Sequence, residues 1–551
     1  MDYLQTYNFW KQNVKDKQLS LQLEKMSQDN KAIENAFYKD LEFGTAGLRG
    51  IIGVGTNCLN IYTIMRTTMG VAKYMQNHNM QKVAICYDSR IKSKLFARVT
   101  SNVLNSCGIK TYLSNDCAPT PFCSYMVRYY GCALGIMITA SHNPKMYNGY
   151  KVYSHDGTQL LEEPSYEISN IVNSINPFEI KTRSFNYYVK NGLVEYTDDN
   201  IIAAYLKDVQ KQSLNKIQPL KVVYTPLNGA GYSLVPKNLS QLGLDVIVAK
   251  EQGYPNGNFT TCPKPNPEKP EAYTIAKKYG EPIKADLLLA TDPDCDRVGA
   301  AVLHNGEYVL LTGNEMGALL CDYVLSNLQK QNKLTQDHMI VKSIVTTSLA
   351  SQIAQNYGVK CENVLTGFKY IGNLIYKLEQ QNKGKNFILG FEESYGYLVG
   401  DYVRDKDAVL ASMLICEMAS VYKAQSITLI DKLNELFEKY GYYKHVNVTY
   451  EFAGADGNKK MKQLLSDLRK TPFVKVANLD VVSYLDYQQQ DKYDLPKADV
   501  LEYNLSNGGS LIIRPSGTEP LIKAYITTNK TPELNELDIQ NIKQFLSQYF
   551  K

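Results

Sequence analysis

The sequence predicts an α/β protein of several domains, on three observations. Short apolar runs of β type alternate with helical segments along most of the chain, which argues for α/β units with mixed, mostly parallel sheets. At 551 residues the chain is too long for one core, and about 150 residues per domain gives roughly three or four domains. The alternation runs three times and then changes character near residue 440, so three similar α/β domains should precede a C-terminal α+β domain.

The first 40 residues read as helix, with Leu19, Leu21, Leu23 and Met26 set among polar residues, and lead into the glycine-rich EFGTAGLRG (42–50). The first round then shows strand KVAICYD (82–88), helix FARVTSNVLNSCG (96–108), strand IKTYL (109–113) and strand LGIMITAS (134–141). A second round starts at LKVVYTPLNGAG (220–231), continues with LDVIVAKE (244–251) and ends at ADLLLATD (285–292). A third runs from HMIVKSIVTT (338–347) to KNFILGFEESYGY (385–397), with a helical stretch over 405–440 behind it. Strands HVNVTYEF, SLIIRPSGT and LIKAYITT with a last helix in DIQNIKQFLSQYF make up the fourth part. Domains are therefore expected at 1–205, 206–315, 316–440 and 441–551.

Composition excludes several classes. The apolar share of 44% and charged share of 21% belong to an ordinary soluble protein and not to a disordered chain. A net charge of +5, with no basic stripe interleaved with aromatics, gives no reason to expect nucleic acid. The 11 cysteines are odd in number, scattered and without a Cys-x-x-Cys pair, which suits reduced thiols in the cytoplasm. MDYLQTYNFWKQNVKDKQ has no apolar leader core and no apolar run approaches a bilayer span, so no membrane association is expected.

Four loops carry chemistry. In TASHNPKMYNGYKVY (139–153) Ser141 follows the apolar run LGIMITA, where the backbone should turn out toward solvent. Loops at the carboxyl ends of parallel strands are where α/β ligands bind, although Ser and Asn also satisfy ordinary turns. The G-x-S-x-G elbow of hydrolases is missing, and a hydroxyl near a cation can instead carry a phosphoryl group.

In ATDPDCDRVG the alternating Asp292, Asp294 and Asp296 can converge on one hard cation, Mg²⁺ or Ca²⁺. Arg297 and Leu303 stand where an EF-hand needs glycine and glutamate, so that motif is excluded. A solvated acidic turn and an aspartyl-phosphate phosphatase with Asp292 as nucleophile remain as other readings. GFEESYGYL offers Glu392 and Ser394 for sugar hydroxyls, or equally the first turn of a helix. In LIIRPSGTEPLIKAYI, Arg514, Ser516, Gly517 and Thr518 form a turn between strands, suited to a phosphate monoester or to a plain hairpin. The Gly-x-Gly after KVVYTPLN lacks the third glycine of a dinucleotide site, since Leu234 stands there, and reads as a tight strand-to-helix turn.

Taken in order, EFGTAGLRG, TASHNPKMYNGYKVY, ATDPDCDR, TGFKYIGN, GFEESYGY, RDKDA and RPSGTEP resemble the α-D-phosphohexomutase family, which includes phosphoglucomutases and phosphomannomutases. The spellings look like the branch that also holds phosphopentomutase-like enzymes. The resemblance implies three similar α/β domains and a differently built fourth around a central cleft. It implies Ser141 as phosphoserine, on a Mg²⁺ held by Asp292, Asp294 and Asp296. Arg297 and Lys369 would bind substrate, Glu392 and Ser394 the sugar hydroxyls, and Arg514, Ser516, Gly517 and Thr518 the phosphate that is not transferred. His142, Lys151, Lys406 and Arg49 match basic positions of the motifs.

The reaction so implied moves phosphate between C1 and C6 of glucose or mannose through a hexose 1,6-bisphosphate. Pentose 1- to 5-phosphate is the alternative, which retention of Ser394 disfavours. A phosphohydrolase or a non-catalytic sugar-phosphate sensor ranks lower. Partners are small sugar phosphates, with monomer and dimer both open.

Overall fold

The computed structural model describes residues 2–44, 47–452, 457–489, 495–516 and 521–550. They form two compact units, one of residues 1–312, 368–390 and 394–426, the other of 313–367, 391–393 and 427–551.

The first unit opens with three short helices, Tyr3–Asn13, Lys17–Lys25 and Asn30–Phe37, not one long one. Each break is a capping site: the Asp16 and Asp29 carboxylates accept the amides of Leu19 and Ala32, which no helical carbonyl reaches. Trp10 packs edge-on against Phe37, Tyr62 and Phe178 and so ties these helices to helix Ile61–Asn77 and the turn Pro177–Glu179.

That sheet contains β1 (Leu48–Ile51), β2 (Lys82–Tyr87), β3 (Lys110–Leu113), β4 (Leu134–Ile138), β5 (Tyr147–Ser154) and β6 (Val194–Tyr196), in the order β1-β5-β4-β2-β3-β6. β2, β3, β4 and β6 are parallel, as the alternation predicts. β5 is not announced by the sequence, because Asn148, Gly149 and Lys151 interrupt its apolar pattern. It runs antiparallel to both β4 and β1, so the serine motif is a hairpin and not a free loop. Gly149 is required there, since a Cβ would lie 2.4 Å from the Thr139 carbonyl oxygen and 2.7 Å from that of Leu48.

The second sheet holds β7 (Val222–Thr225), β8 (Ile247–Val248), β9 (Leu287–Thr291), β10 (Val298–His304) and β11 (Glu307–Leu310), in the order β11-β10-β9-β7-β8. β7, β8 and β9 are parallel and β10 returns antiparallel to β9, which makes the aspartate motif a tight connection. The Gly-x-Gly turn is the strand-to-helix turn expected. Its Ala230 amide donates to the Pro293 carbonyl at 2.8 Å, and a Cβ on Gly229 would meet Pro293 Cα at 2.5 Å. A motif with the look of a nucleotide loop thus supports the aspartate loop. Helix Ala408–Lys423 is buried along most of its length, capped by Asp407, whose carboxylate also accepts the Tyr205 hydroxyl at 2.7 Å.

In the second unit β12 (Met339–Ser343) and β13 (Lys360–Val364) are parallel. β14 (Phe387–Glu392), whose residues 387–390 belong to the first unit and 391–392 to the second, and β15 (Gly396–Val399), of the first unit, are separated by a turn at 393–395, so GFEESYGY is strand, turn and strand, and the helix reading of it falls. The C-terminal part is β16 (Tyr443–Glu451), β17 (Lys475–Val476), β18 (Leu479–Asp486), β19 (Leu501–Leu505), β20 (Ser510–Pro515) and β21 (Leu521–Asn529), antiparallel in the order β16-β21-β20-β19-β18-β17. Ile513, Ile522, Ala524 and Ile526 pack against Ile539, Ile542 and Leu546 of the last helix, Pro532–Tyr549. The chain is therefore three α/β domains with mixed sheets and a β-rich C-terminal domain. Among the described residues no helix is long and apolar enough to cross a membrane.

The Gly149 packing yields a stability prediction. Gly149→Ala should lower the free energy of unfolding by about 1–3 kcal/mol, because the atoms it meets are backbone and cannot swing away. Urea denaturation followed by circular dichroism measures this; an unchanged midpoint contradicts the packing.

Candidate active site

Ser141, the three aspartates, His142, Lys151, Lys406, Arg297 and Arg49 all belong to the first unit. Ser141 begins the turn after β4 and has φ of 51°, the left-handed region that costs a residue with a Cβ about 1–2 kcal/mol. Its amide donates to Thr139 Oγ1 at 2.8 Å, which holds that conformation. The expectation that it turns toward solvent is corrected: Ser141 is 3% exposed. The hairpin folds it inward, and its Oγ donates to Asp292 Oδ2 at 2.7 Å. His142 Nδ1 lies 3.2 Å from the same Oγ, so the neighbouring histidine does reach the serine. Burial, together with Arg297 and Arg49, holds the imidazole well below its ordinary pKa, and it stays neutral.

The aspartates occupy the connection from β9 to β10. Asp292 Oδ1 accepts the amides of Asp296 and Arg297 at 3.2 and 3.1 Å, which curls the loop so that all three carboxylates face one point. One oxygen from each lies within 4.8 Å of the others, and all three side chains are buried. Thr120 fixes the middle one, donating its hydroxyl to Asp294 Oδ2 at 2.9 Å and its amide to the Asp294 carbonyl at 2.8 Å.

Burial raises the Asp292 carboxyl well above the usual carboxylate range, and the neighbouring charges of Asp294 and Asp296 add to it. Burial acts the same way on Asp294, but Lys151 and Lys406 overcome it and hold that carboxyl low. Lys151, on β5, puts Nζ 3.0 Å from Asp294 Oδ2 and 3.6 Å from Asp296 Oδ2. Lys406 puts its own 2.7 Å from Asp296 Oδ2 and 3.2 Å from Asp405. Its stem passes Gly396, where a Cβ would lie 2.2 Å from Lys406 Cδ, which explains the last glycine of GFEESYGY.

The donor set fits a hard cation. Asp294 Oδ1 and Asp296 Oδ1 are buried and accept no hydrogen bond from a described residue, the second having Arg297 Nε only at 3.8 Å, a costly state for a carboxylate oxygen unless a positive charge meets it closely. Three convergent carboxylates are an oxygen-only site of the kind Mg²⁺ or Ca²⁺ occupies. The acidic cluster can hold a metal ion.

The remaining expected residues lie as follows. Arg297 pairs with Glu268 at 3.1 Å. Arg49 donates to Asn143 Oδ1 at 3.2 Å and so borders the serine turn. Lys369 is bound to Glu162 at 2.6 Å, together with the Tyr370 hydroxyl. Ser394 is half-buried beside Tyr395, whose carbonyl accepts the Val298 amide next to Arg297. In the second unit, Glu392 is buried and accepts the Gly367 amide at 2.8 Å. Arg514 is the last residue but one of β20 and lies beside Tyr525, and the Ser516 amide donates to the Leu521 carbonyl. Gly517 and Thr518 lie outside the described residues.

Sequence reasoning passed over Asp88, Arg90 and Thr120. Asp88 and Arg90 follow the apolar run KVAICY, an acid and a base two apart at the end of a parallel strand, which is the available signal. Nothing in the spelling TPFCSY marks Thr120. Glu393, the second carboxylate of GFEESYGYL, donates its amide to Thr346 Oγ1 at 3.2 Å.

Family models for phosphoglucomutase/phosphomannomutase α/β/α domains I, II and III match residues 40–178, 203–306 and 312–440. A curated phosphoglucomutase of Staphylococcus saprophyticus is 36% identical over 526 residues, which is 92% of each chain. A crystal structure of a phosphoglucomutase/phosphomannomutase family protein from Burkholderia thailandensis superposes with a TM-score of 0.68 at 17% identity, covering 94% of this chain and 98% of that one. The open form of parafusin, a Paramecium phosphoglucomutase, gives 0.69 at 18% identity over 93% and 94%. These two likenesses show the fold.

The orphaned oxygens predict a cation effect on stability. Millimolar MgCl₂ should raise the melting temperature of the wild-type protein and leave that of Asp296→Asn unmoved, read by differential scanning fluorimetry. Ligand at 100 times its Kd contributes roughly 2.7 kcal/mol, which for a chain of this length is a shift of about 2 °C. An equal shift in both proteins would place the ion elsewhere.

Proposed function

The chain belongs to the phosphoglucomutase/phosphomannomutase family of isomerases, and from that premise we propose that it moves a phosphoryl group between C1 and C6 of a hexose, with Ser141 as the carrier. The observation that carries the reading is the buried contact of Ser141 Oγ with Asp292 inside a cluster of three carboxylates and two lysines. A hydroxyl placed there gains little from hydrolase chemistry. A phosphoryl group on it would meet the positive charge of Lys151, Lys406 and Arg297.

Asp292, Asp294 and Asp296 would hold Mg²⁺, which supplies charge neutralisation for the phosphoryl oxygens. The chain's own residues do the rest. In the forward step the bond from Ser141 Oγ to phosphorus breaks as a sugar hydroxyl oxygen bonds to phosphorus. The sugar hydroxyl gives up its proton as Oγ takes one up, so in balance that proton ends on Oγ and the products are the sugar bisphosphate and the free serine hydroxyl. Neutral His142 at 3.2 Å and Asp292 at 2.7 Å are the two groups placed to exchange a proton with Oγ. The hexose 1,6-bisphosphate so formed then turns over and returns its other phosphate to Ser141. Lys151 and Lys406 stabilise charge that develops in transfer, and burial makes that stabilisation larger than it would be in water.

Glu392 and Ser394 are assigned to sugar hydroxyls, Lys369 and Arg297 to substrate, and Arg514 with Ser516, Gly517, Thr518 to the phosphate that stays. Arg49 is assigned to the serine turn, a role its contact with Asn143 supports. Glucose and mannose phosphates, which differ at C2, both suit this set. The name of the staphylococcal relative, phosphoglucomutase, supports glucose first. Reduced cysteines and the absence, among the described residues, of any spanning helix suit the cytoplasm. An Asp292 nucleophile is disfavoured because both its oxygens already accept hydrogen bonds, from two amides and from Ser141.

The test is chemical. After incubation with glucose 1,6-bisphosphate, peptide mass spectrometry should find phosphate on Ser141. Ser141→Ala should carry none and lose activity on the order of 10⁴-fold or more, as nucleophile deletions do. In a panel of glucose, mannose and ribose 1-phosphates the hexoses should show the higher kcat/KM. Preference for the ribose ester would overturn the hexose assignment, and phosphate release that persists in Ser141→Ala would overturn the carrier.

A further inference from the structure

One guanidinium holds the serine turn from behind. Arg90 is 3% exposed and follows β2. Its Nη1 donates to the carbonyls of Pro144 at 3.0 Å and Tyr147 at 3.1 Å, and its Nη2 to those of Ser141 and Asn143. Four carbonyls of the segment that carries the nucleophile therefore end on one side chain. Behind it, Nε faces Asp88 Oδ2 at 3.3 Å, and Asp88 Oδ1 accepts the Arg90 amide at 2.9 Å and the Ser93 hydroxyl at 2.6 Å. The ring of Phe259 covers the guanidinium at 5.2 Å.

Burying an arginine with its carboxylate is costly in itself and is a poor route to stability, so a device of this kind calls for another reason. Residues 141–146 form no strand or helix that would fix their carbonyls. Ser141 is moreover in the left-handed region, which the chain leaves readily if nothing holds it. A planar fork with five donors can bind several carbonyls at fixed angles, which a lysine ammonium cannot.

We propose that Arg90 is a positioning residue for phosphoryl transfer: it fixes the Ser141–Tyr147 carbonyls so that Oγ stays on the carboxylate cluster and its phosphate is delivered to a sugar and not to water. The proposal rests on the carrier role of Ser141. A loosened turn admits hydrolysis, in which a water oxygen bonds to phosphorus, the phosphorus–Oγ bond breaks, and a water proton ends on Oγ. The products are free serine and inorganic phosphate.

Arg90→Lys keeps the charge and removes the fork. In the folded full-length enzyme kcat should fall about 10²-fold, the effect of misplacing a reacting group by an ångström, with KM for glucose 1-phosphate within about twofold of wild type. Inorganic phosphate released per turnover should rise. Ser93→Ala, which removes one hydrogen bond to Asp88 and one from Asn148 Nδ2 but leaves the Arg90 fork in place, should show both effects several-fold smaller and carries the test if Arg90→Lys does not fold. Wild-type kcat and wild-type phosphate release in a folded variant would overturn the proposal, as would a loss confined to KM. Absence of phosphate on Ser141 in the wild-type enzyme would instead overturn the carrier role itself, whatever the variants do.

Discussion

Three carboxylates confined within 4.8 Å of one another and closed off from solvent are the constraint on which the first unit is organised. Such a cluster cannot persist uncompensated. Lys151, Lys406 and Arg297 supply three positive charges, and each arrives from a different place: β5, the segment ahead of helix Ala408–Lys423, and the residue just before β10. The antiparallel return of β5 is what brings Lys151 back to the strand end that Ser141 leaves. Gly149 lets β5 fit between β1 and β4, Gly229 lets a neighbouring turn support Pro293, and Gly396 leaves the path of Lys406 open. Three glycines far apart in sequence thus serve one cluster of charge.

Much of this was legible. The parallel strands of the first two sheets follow from buried apolar runs, and their carboxyl ends are where the serine and aspartate motifs stand. The antiparallel strands were not, because β5, β10 and β11 mix polar or small residues into short runs and owe their place to pairing with a strand already laid down. The same reason hid β17 and β18, one of two residues and the other mostly half-buried or exposed, and β19, whose buried residues alternate with a glutamate and an asparagine. The inward turn of Ser141 was invisible for a related cause: without β5 the residue looks like the tip of a loop.

Among site residues, those that bear charge in a spaced motif could be read and those that hold the motifs could not. Asp292, Asp294 and Asp296 declare themselves by alternation. Arg90 donates to four carbonyls of the serine turn, yet its one signal in the sequence is its place two residues after Asp88 at a strand end. A residue that works through backbone carbonyls leaves no pattern, because every residue offers the same acceptor.

Three turns of the site run through the left-handed region without glycine: Ser141 at φ 51°, Cys295 at 50° and Tyr395 at 67°. Each belongs to a different motif, and each costs on the order of 1–2 kcal/mol relative to a relaxed backbone. Each is also held: the Ser141 amide by Thr139 Oγ1, the Cys295 amide by the Asp292 carbonyl, the Tyr395 hydroxyl by the Leu311 carbonyl and its own carbonyl by the Val298 amide. Glycine would relieve the strain, but at Ser141 it would remove the nucleophile, and at Cys295 and Tyr395 side chains buried in the core. Local preference is overruled at the loops that carry the chemistry, where a serine hydroxyl and three carboxylates must meet at fixed distances. The strain is then a consequence of that meeting, held in place by the surrounding hydrogen bonds.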